Sequence, residues 1–310
     1  MNHASHDPLI GINWGSSNFR AYRIGADGAV EDTLEAAAGV ATLKRDGMID
    51  MAARLQARWP DARRVIAAGM IGSNIGWADA GYAQAPAGLD DIAAQLVPAR
   101  IGVLDLHIVP GVTCVRTADG APDVMRGEET ELFGLLASGQ LEAAPVIALP
   151  GTHTKWVAMD DGRIGQFMTA MSGEMHDRMT SAGVLASVVA GASEDGPAFR
   201  EGVRVATTQS LGLGTLLFGV RARVIRGVLP LEQANGYLRG LLIGAEIADA
   251  LALFPALKGS TVPLVGAGPV CALYRAALEE LGIGARFVAS ADAVVRGFIE
   301  LAARQRVAKA

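Results

Sequence analysis

Along this chain the alternation of apolar and polar stretches repeats one design twice. Leu9-Ile10-Gly11-Ile12 is a short apolar run of the kind that forms a buried strand. Gly15-Ser16-Ser17-Asn18 then supplies the flexible, hydrogen-bonding chemistry of a tight turn, and a second strand-like run continues to Ile24. From Val146 to Thr169 the order recurs: an apolar strand ends at Pro150-Gly151, the polar turn Thr152-His153-Thr154-Lys155 follows, and Trp156-Val157-Ala158-Met159 resumes a strand before Asp160-Asp161-Gly162. Two such units predict two similar halves, residues 1–144 and 145–310. Each turn is also a candidate phosphate cradle, because successive backbone N–H groups and hydroxyls can converge on an anion. Gly15 lets the backbone approach without a side chain in the way. The first is not a Walker loop, since no Gly-Lys-Ser/Thr follows and the next segment does not read as a helix. An ordinary hairpin has the same composition, so that stretch alone leaves both readings open.

Between and after these units the pattern predicts a helix from Met48 to Trp59, stopped by Pro60, and a buried strand from Val65 to Met70. Residues 78–105 read as loop with a short helix around Leu89 to Leu96, followed by a strand at Leu106-His107-Ile108-Val109, where His107 reads as packed. From Glu128 the spacing is helical, with Leu132, Leu135 and Leu136 on the stripe that Glu128 begins. Ser172 is a candidate cap for a helix running through His176, which is placed at a seam. Ala190 to Glu201 reads as loop, with helices from about Arg204 and from Leu231 to Leu253; Gly240 and Gly244 in the latter form a small-residue seam. Thr261 to Val265 is a strand feeding Gly266-Ala267-Gly268 and a helix from Pro269 to Leu281, and a last helix runs from Asp292 to about Gln305.

Several residues carry candidate chemistry. The strand at 65–70 delivers Gly69-Met70-Ile71-Gly72-Ser73-Asn74-Ile75-Gly76-Trp77 at its carboxyl end, where open α/β sheets place ligands. Glu128 opens a helix on its inward stripe, so it either serves as a base or complements the positive helix end; Glu129 is its rival. Arg126 suits bidentate capture of a carboxylate, or a solvated surface. Lys155 suits neutralisation of a phosphate, or an exposed strand edge. Gly266-Ala267-Gly268 imitates a dinucleotide fingerprint, but no acidic residue stands about 20 positions on.

Composition narrows the class. A chain of 310 residues that is 51% hydrophobic can bury a large core. Its net charge of −5 and 5% aromatic content argue against a nucleic-acid partner. Cys114 and Cys271, with no Cys-x-x-Cys, point away from disulfides and zinc and toward a reducing cytoplasm. The MNHASHDP start lacks a basic region followed by an apolar core, so no leader is expected, and runs such as Leu211 to Val220 stop short of the ~20 residues that span a bilayer.

Read in order, INWGSSNFRAY, AAGMIGSNIGW, VMRGEETELFG, LPGTHTKWV, MSGEMH, GLLIGAEIA and VGAGPVCALY resemble the 2-dehydro-3-deoxygalactonokinase family, in the sugar kinase, actin and Hsp70 superfamily. The likeness covers nearly all of residues 9–305. It implies two ribonuclease-H-like, actin-like ATPase domains facing across a cleft, with ATP and Mg²⁺ as cofactors. Gly15, Ser16, Ser17 and Asn18, and Gly151, Thr152, His153 and Lys155, would hold phosphates, with Gly266 and Gly268 beside the adenosine. Ser73, Asn74, Trp77, Arg126 and Glu129 would meet the sugar acid. Glu128 would accept the hydroxyl proton, in the manner of the Asp in the Gly-Asp-Gln stretch of glycerol and xylulose kinases. Asn13 and Glu128 would serve the metal, but the family pattern has Asp before Trp-Gly where this chain has Asn13. The implied reaction is ATP-dependent phosphorylation of the terminal 6-hydroxyl of 2-dehydro-3-deoxy-D-galactonate; a homodimer is one assembly the sequence leaves open. The alternatives are a related 2-keto-3-deoxy acid as acceptor, a pseudokinase that binds sugar or nucleotide without turnover, and a dehydrogenase using Gly266 to Gly268.

Overall fold

The computed structural model describes residues 8–141, 144–290 and 292–307; the N-terminal stretch read above as lacking a leader lies mostly outside them. The first half opens with an antiparallel meander, β1 (Leu9–Trp14), β2 (Phe19–Ile24) and β3 (Val30–Ala36). Helix α1 (Arg45–Arg58) then returns the chain to β4 (Arg64–Ala68), which pairs parallel with β1. After β5 (Tyr82–Gln84) and α2 (Leu89–Ala94), β6 (Val97–Ile101) and β7 (Leu104–Ile108) complete a six-stranded sheet of order β3-β2-β1-β4-β7-β6. Strands β8 (Gly111–Val115) and β9 (Pro122–Met125) join β5 in a small sheet, and α3 (Glu128–Ala137) closes the half.

The second half repeats the plan. A meander of β10 (Val146–Leu149), β11 (Thr154–Asp160) and β12 (Arg163–Ala170) precedes the helices α4 (Ser172–Ser181), α5 (Gly183–Ala186), α6 (Pro197–Thr208), α7 (Leu213–Ile225) and α8 (Ala234–Leu253). Then come β13 (Thr261–Val265), α9 (Gly268–Glu280), β14 (Gly284–Val288) and α10 (Ala293–Val307). The sheet order, β12-β11-β10-β13-β14, matches that of the first sheet without β6, and the pairings run in the same directions. The repeated apolar pattern thus corresponds to a repeated sheet.

Both central strands are covered on both faces, which is why they read as continuous apolar runs. In β1, Ile10, Ile12 and Trp14 pack with Met48, Met51 and Leu55 of α1, while Leu9 joins a second core around Phe298 of α10. In β10, Val146 and Ala148 pack toward α8 and α9, while Ile147 and Leu149 face that same second core. The second core therefore lies between the two sheets, and each buried Ile or Leu in it contributes on the order of 1.5–3 kcal/mol. Helix α10, although last in sequence, packs on α2, α3 and β1, where the Phe298 ring fills the space a side chain at Gly11 would take. Residues 293–307 thus sit with the first sheet.

Three local expectations are corrected. The 78–105 stretch holds β5 and β6, two short strands whose weak apolar alternation hid them. Helix α6 begins at Pro197 inside the stretch read as loop, because proline is well suited to a first helical turn. Ser172 lies inside α4 rather than capping it, and its hydroxyl is committed to Glu246. The small-residue seam of α8 is real: the Phe199 backbone of α6 lies where a side chain at Gly240 would go.

Candidate active site

The ends of β1 and β4 and the start of α3 converge because two glycines allow their backbones to touch. Gly69, at φ 95°, follows β4, and a Cβ there would lie 2.8 Å from the Trp14 carbonyl oxygen. Gly127, at φ 108°, precedes α3, and its Cβ would lie 3.3 Å from Gly69 Cα. Both conformations belong to glycine. The convergence walls a cavity of about 490 Å³ lined by Asn13, Gly15, Ser16, Gly69, Arg126, Glu128 and Glu131 from the first half. His153 of the second turn and Ser290 after β14 close it from the other half, and Arg20, Tyr22, Met70, Gly127 and Val294 complete the lining.

The first turn is held from behind. The carbonyls of Gly15, Ser16 and Ser17 accept from the N–H groups of Val40, Ala41 and Gly39, each at 3.0 Å. No partner among the described residues takes the Ser16 and Ser17 N–H groups, which remain available to an anion. The second turn is braced by α4: Thr152 carbonyl accepts from Glu174 N–H at 3.0 Å, and His153 Nε2 lies 2.7 Å from the Glu174 carboxylate. That contact holds Glu174 below the ordinary carboxylate range. Gly266, at φ 144°, stands against the same turn, with its Cβ position 3.2 Å from the Pro150 carbonyl.

Glu128 and Glu129 are separated by the fold. Glu128 lines the cavity, with one carboxylate oxygen 3.1 Å from the Arg126 backbone N–H. Glu129 is fully buried, accepting from Gly127 N–H at 2.6 Å and bonded to Thr130 Oγ1, and burial pushes it up to about 8, with the Glu128 charge adding to the rise. Glu131 enters the cavity three residues after Glu128, on the same helix face. Burial raises it to about 7, opposed by a hydrogen bond with Ser290.

Arg126 is the most telling side chain here. Only 4% exposed, it donates through Nη2 to the Gly81 carbonyl at 2.9 Å, lies over the Tyr82 ring and has Asp79 3.9 Å away. Its Nε and Nη1 have no hydrogen-bond partner among the described residues. A buried donor left unpaired costs about 1–3 kcal/mol, so this guanidinium is kept ready for a further acceptor.

The structure does not bring every expected residue to the cavity. Lys155 is buried in β11 with its ammonium on Thr169 Oγ1 at 2.9 Å and Val124 carbonyl at 3.4 Å. Ser73 is buried with its hydroxyl on Met70 carbonyl at 2.7 Å, Trp77 Nε1 donates to Arg100 carbonyl at 2.9 Å under the Arg45 guanidinium, and Asn74 is exposed. Glu129 serves Gly127 rather than the cavity; Ser17, Asn18, Gly151 and Thr152 belong to the two turns and Gly266 stands against the second, and neither they nor Gly268 line it. Arg20, Tyr22, Glu131 and Ser290 also line the cavity, and the sequence pattern did not single them out. The period of two along β2 and the three-residue step along α3 are the signals that mark the first three.

Among the described residues there is no group of three or more His, Cys, Asp or Glu placed to hold a metal ion. Asn13 and Glu128 nevertheless fit Mg²⁺, which in ATP chemistry takes one or two carboxylates along with phosphates and water.

Comparison with known proteins identifies the family and the fold. A family model described as 2-keto-3-deoxy-galactonokinase matches residues 13–301. The probable 2-dehydro-3-deoxygalactonokinase of Rhizobium meliloti (strain 1021) is 38% identical over 304 residues, covering 94% of this chain and 95% of the relative. The 2-dehydro-3-deoxygalactonokinase of Escherichia coli (strain K12) is 34% identical over 299 residues, covering 94% and 97%. A crystal structure of a candidate 2-dehydro-3-deoxygalactonokinase from Sinorhizobium meliloti superposes with TM-score 0.84 at 36% identity, over 97% of this chain and 99% of that one. The activator of 2-hydroxyisocaproyl-CoA dehydratase from Clostridium difficile, with bound ADPNP, shares the fold at TM-score 0.53 and 12% identity, over 97% of each chain. The fold is thus the mixed-sheet α/β fold of actin-like ATPases and sugar kinases.

Proposed function

Because this chain belongs to the 2-keto-3-deoxy-galactonokinase family, and so is a phosphotransferase with an alcohol acceptor, we propose that it phosphorylates the terminal 6-hydroxyl of 2-dehydro-3-deoxy-D-galactonate with ATP. One observation carries the assignment of the site: a single cavity is lined by Ser16, Arg126 and Glu128 of the first half and His153 of the second turn. In this reading residues 1–144, with α10 added, and the rest of 145–310 form two lobes whose cleft takes both substrates and acts in the cytoplasm. Among the described residues no helix is long and apolar enough to cross a membrane.

Arg126 presents Nε and Nη1 to the carboxylate of the sugar acid, a planar pairing that fixes the acceptor's orientation. Glu128 accepts the proton of the attacking hydroxyl, its carboxylate steadied by the Arg126 N–H. The free N–H groups of Ser16 and Ser17 and the turn at 151–154 hold the phosphates in line, with Gly266 and Gly268 beside the adenosine. Glu128 and Asn13 would hold Mg²⁺, which would supply charge neutralisation for the transferred phosphoryl group. Closure of the lobes would exclude water and limit ATP hydrolysis. Asn13, a neutral amide facing the cavity, also motivates a second reading, a pseudokinase that binds sugar or nucleotide without turnover.

A coupled ADP-release assay against a panel of 2-keto-3-deoxy acids tests the proposal. ADP formed only when the galactonate acid is present is the expected result. Binding of both ligands without ADP would favour the second reading, and a faster rate with another acid would reassign the acceptor.

A further inference from the structure

Behind the second turn, a chain of buried polar side chains has no part in the chemistry above. Glu246, 4% exposed in the middle of α8, accepts from Trp156 Nε1 at 2.7 Å, from Tyr274 Oη at 2.9 Å and from Ser172 Oγ. Tyr274 Oη lies 2.8 Å from Thr154 Oγ1, which is 3.3 Å from Gly151 N–H. Four elements, α8, β11, α4 and α9, thus meet at one carboxylate.

The direction of each bond follows from what these groups can do. An indole only donates and a carboxylate only accepts. The single hydrogen of the Tyr274 hydroxyl goes to Glu246, so its oxygen is left to accept from Thr154. The Thr154 hydroxyl then has its hydrogen on Tyr274 and its lone pairs toward Gly151 N–H. Ser172 spends its hydrogen on Glu246 and so ties down the first turn of α4, the same helix whose Glu174 holds Thr152 and His153. A buried carboxylate is costly to keep, and its α8 neighbours Leu242, Ile243 and Ile247 are fully packed, with buried Arg239 and the carboxyl of Asp249 on the same helix. A leucine would fill the site but could set no direction.

We propose that Glu246 is a positioning residue for the second phosphate turn, orienting Thr154 through Tyr274 and the start of α4 through Ser172. The inference rests on the reading of residues 151–154 as a phosphate-holding turn. It separates nucleotide affinity from acceptor affinity: loosening this chain disturbs the ATP side of the cavity and leaves the Arg126 side intact.

Kinetics and direct ADP binding on the full chain test it. Tyr274→Phe removes only the relaying hydroxyl and keeps the ring; it is expected to raise KM for ATP and Kd for ADP five- to twentyfold, with KM for the sugar acid changed less than twofold. Thr154→Val should reproduce this and Thr154→Ser should restore it. Glu246→Gln, which replaces an acceptor by a mixed donor and acceptor, should do the same or more. Ile243→Val, which loosens α8 without touching the chain, serves as the control: its melting temperature falls while ATP parameters hold. If Tyr274→Phe and Thr154→Val lower the melting temperature with ADP affinity unchanged, the chain is only a brace for the fold and the proposal is overturned. Should the wild-type protein bind ADP but phosphorylate no sugar acid, the reaction assigned above fails, and the ADP affinities still decide the role of Glu246.

Discussion

Glu128 and Glu129 are neighbours in sequence with opposite fates: the first faces the cavity between the two halves, and the second is fully buried with its carboxylate 2.6 Å from the Gly127 N–H. Exchanging either for glutamine therefore has a different consequence. Glu128→Gln should lower the rate of transfer by about 10²–10⁴, the usual contribution of a positioned base, while Kd for ADP and for the sugar acid stay within a few-fold. Single-turnover kinetics beside calorimetric binding check this; near-full activity would place the base elsewhere.

Glu129 governs stability through pH. Its folded-state value is raised from 4.5 to about 8, so the folded protein holds a proton that the unfolded chain releases near pH 4.5. The stabilisation is complete below about pH 4.5 and is lost as pH rises through about 8. Glu129→Gln should flatten that slope: between pH 5 and 8 the melting temperature of the wild type should fall relative to the variant, on a scale of about 2–4 °C per kcal/mol. Parallel curves for the two proteins would show that Glu129 does not carry the proton.

Arg126 has two buried donors without partners among the described residues. Arg126→Lys keeps the charge and loses the planar fork, so KM for the sugar acid should rise about 10- to 100-fold, as expected for a charge-assisted pair worth roughly 1.5–3 kcal/mol. KM for ATP should not follow. Equal rises in both would mean that Arg126 supports the cavity as a whole.

At position 13 an amide lines the cavity where the family resemblance implies a carboxylate. Asn13→Asp should lower the Mg²⁺ concentration that gives half-maximal rate, because a full charge replaces a neutral oxygen facing the cavity. A Mg²⁺ titration with unchanged midpoint would show that the side chain does not serve the metal.

The crossing of α3 and α10 depends on two glycines. The Ala293 carbonyl occupies the space for a side chain at Gly134, and the Thr130 carbonyl occupies that at Gly297, so alanine at either must push the helices apart. Gly134→Ala should cost about 1–3 kcal/mol in chemical denaturation, the typical range for overpacking. Gly219→Ala on α7, where a Cβ would meet nothing within 4 Å, should instead gain up to about 1 kcal/mol from helix propensity. Equal outcomes would contradict the close crossing.

The chain's own pattern determined the repeated meander, the position of both turns and most helices, because these depend on local alternation and on residues such as Gly15, Pro60 and Pro150 that act where they stand. It also marked Arg126 and Glu128, since a charge beginning an apolar stripe is visible in one dimension. What it left undecided was decided by contact between distant segments. Lys155 reads as a phosphate ligand until Thr169 and Val124 are seen to hold its ammonium. Glu129 rivals Glu128 as the candidate base until the packing of α3 on α10 buries it. Glu246 reads as an ordinary helix residue until Trp156, Ser172 and Tyr274, 90, 74 and 28 positions away, close around it. Local alternation sets which residues can form a strand or a helix, whereas the free energy of a buried charge depends on partners that only the folded chain supplies.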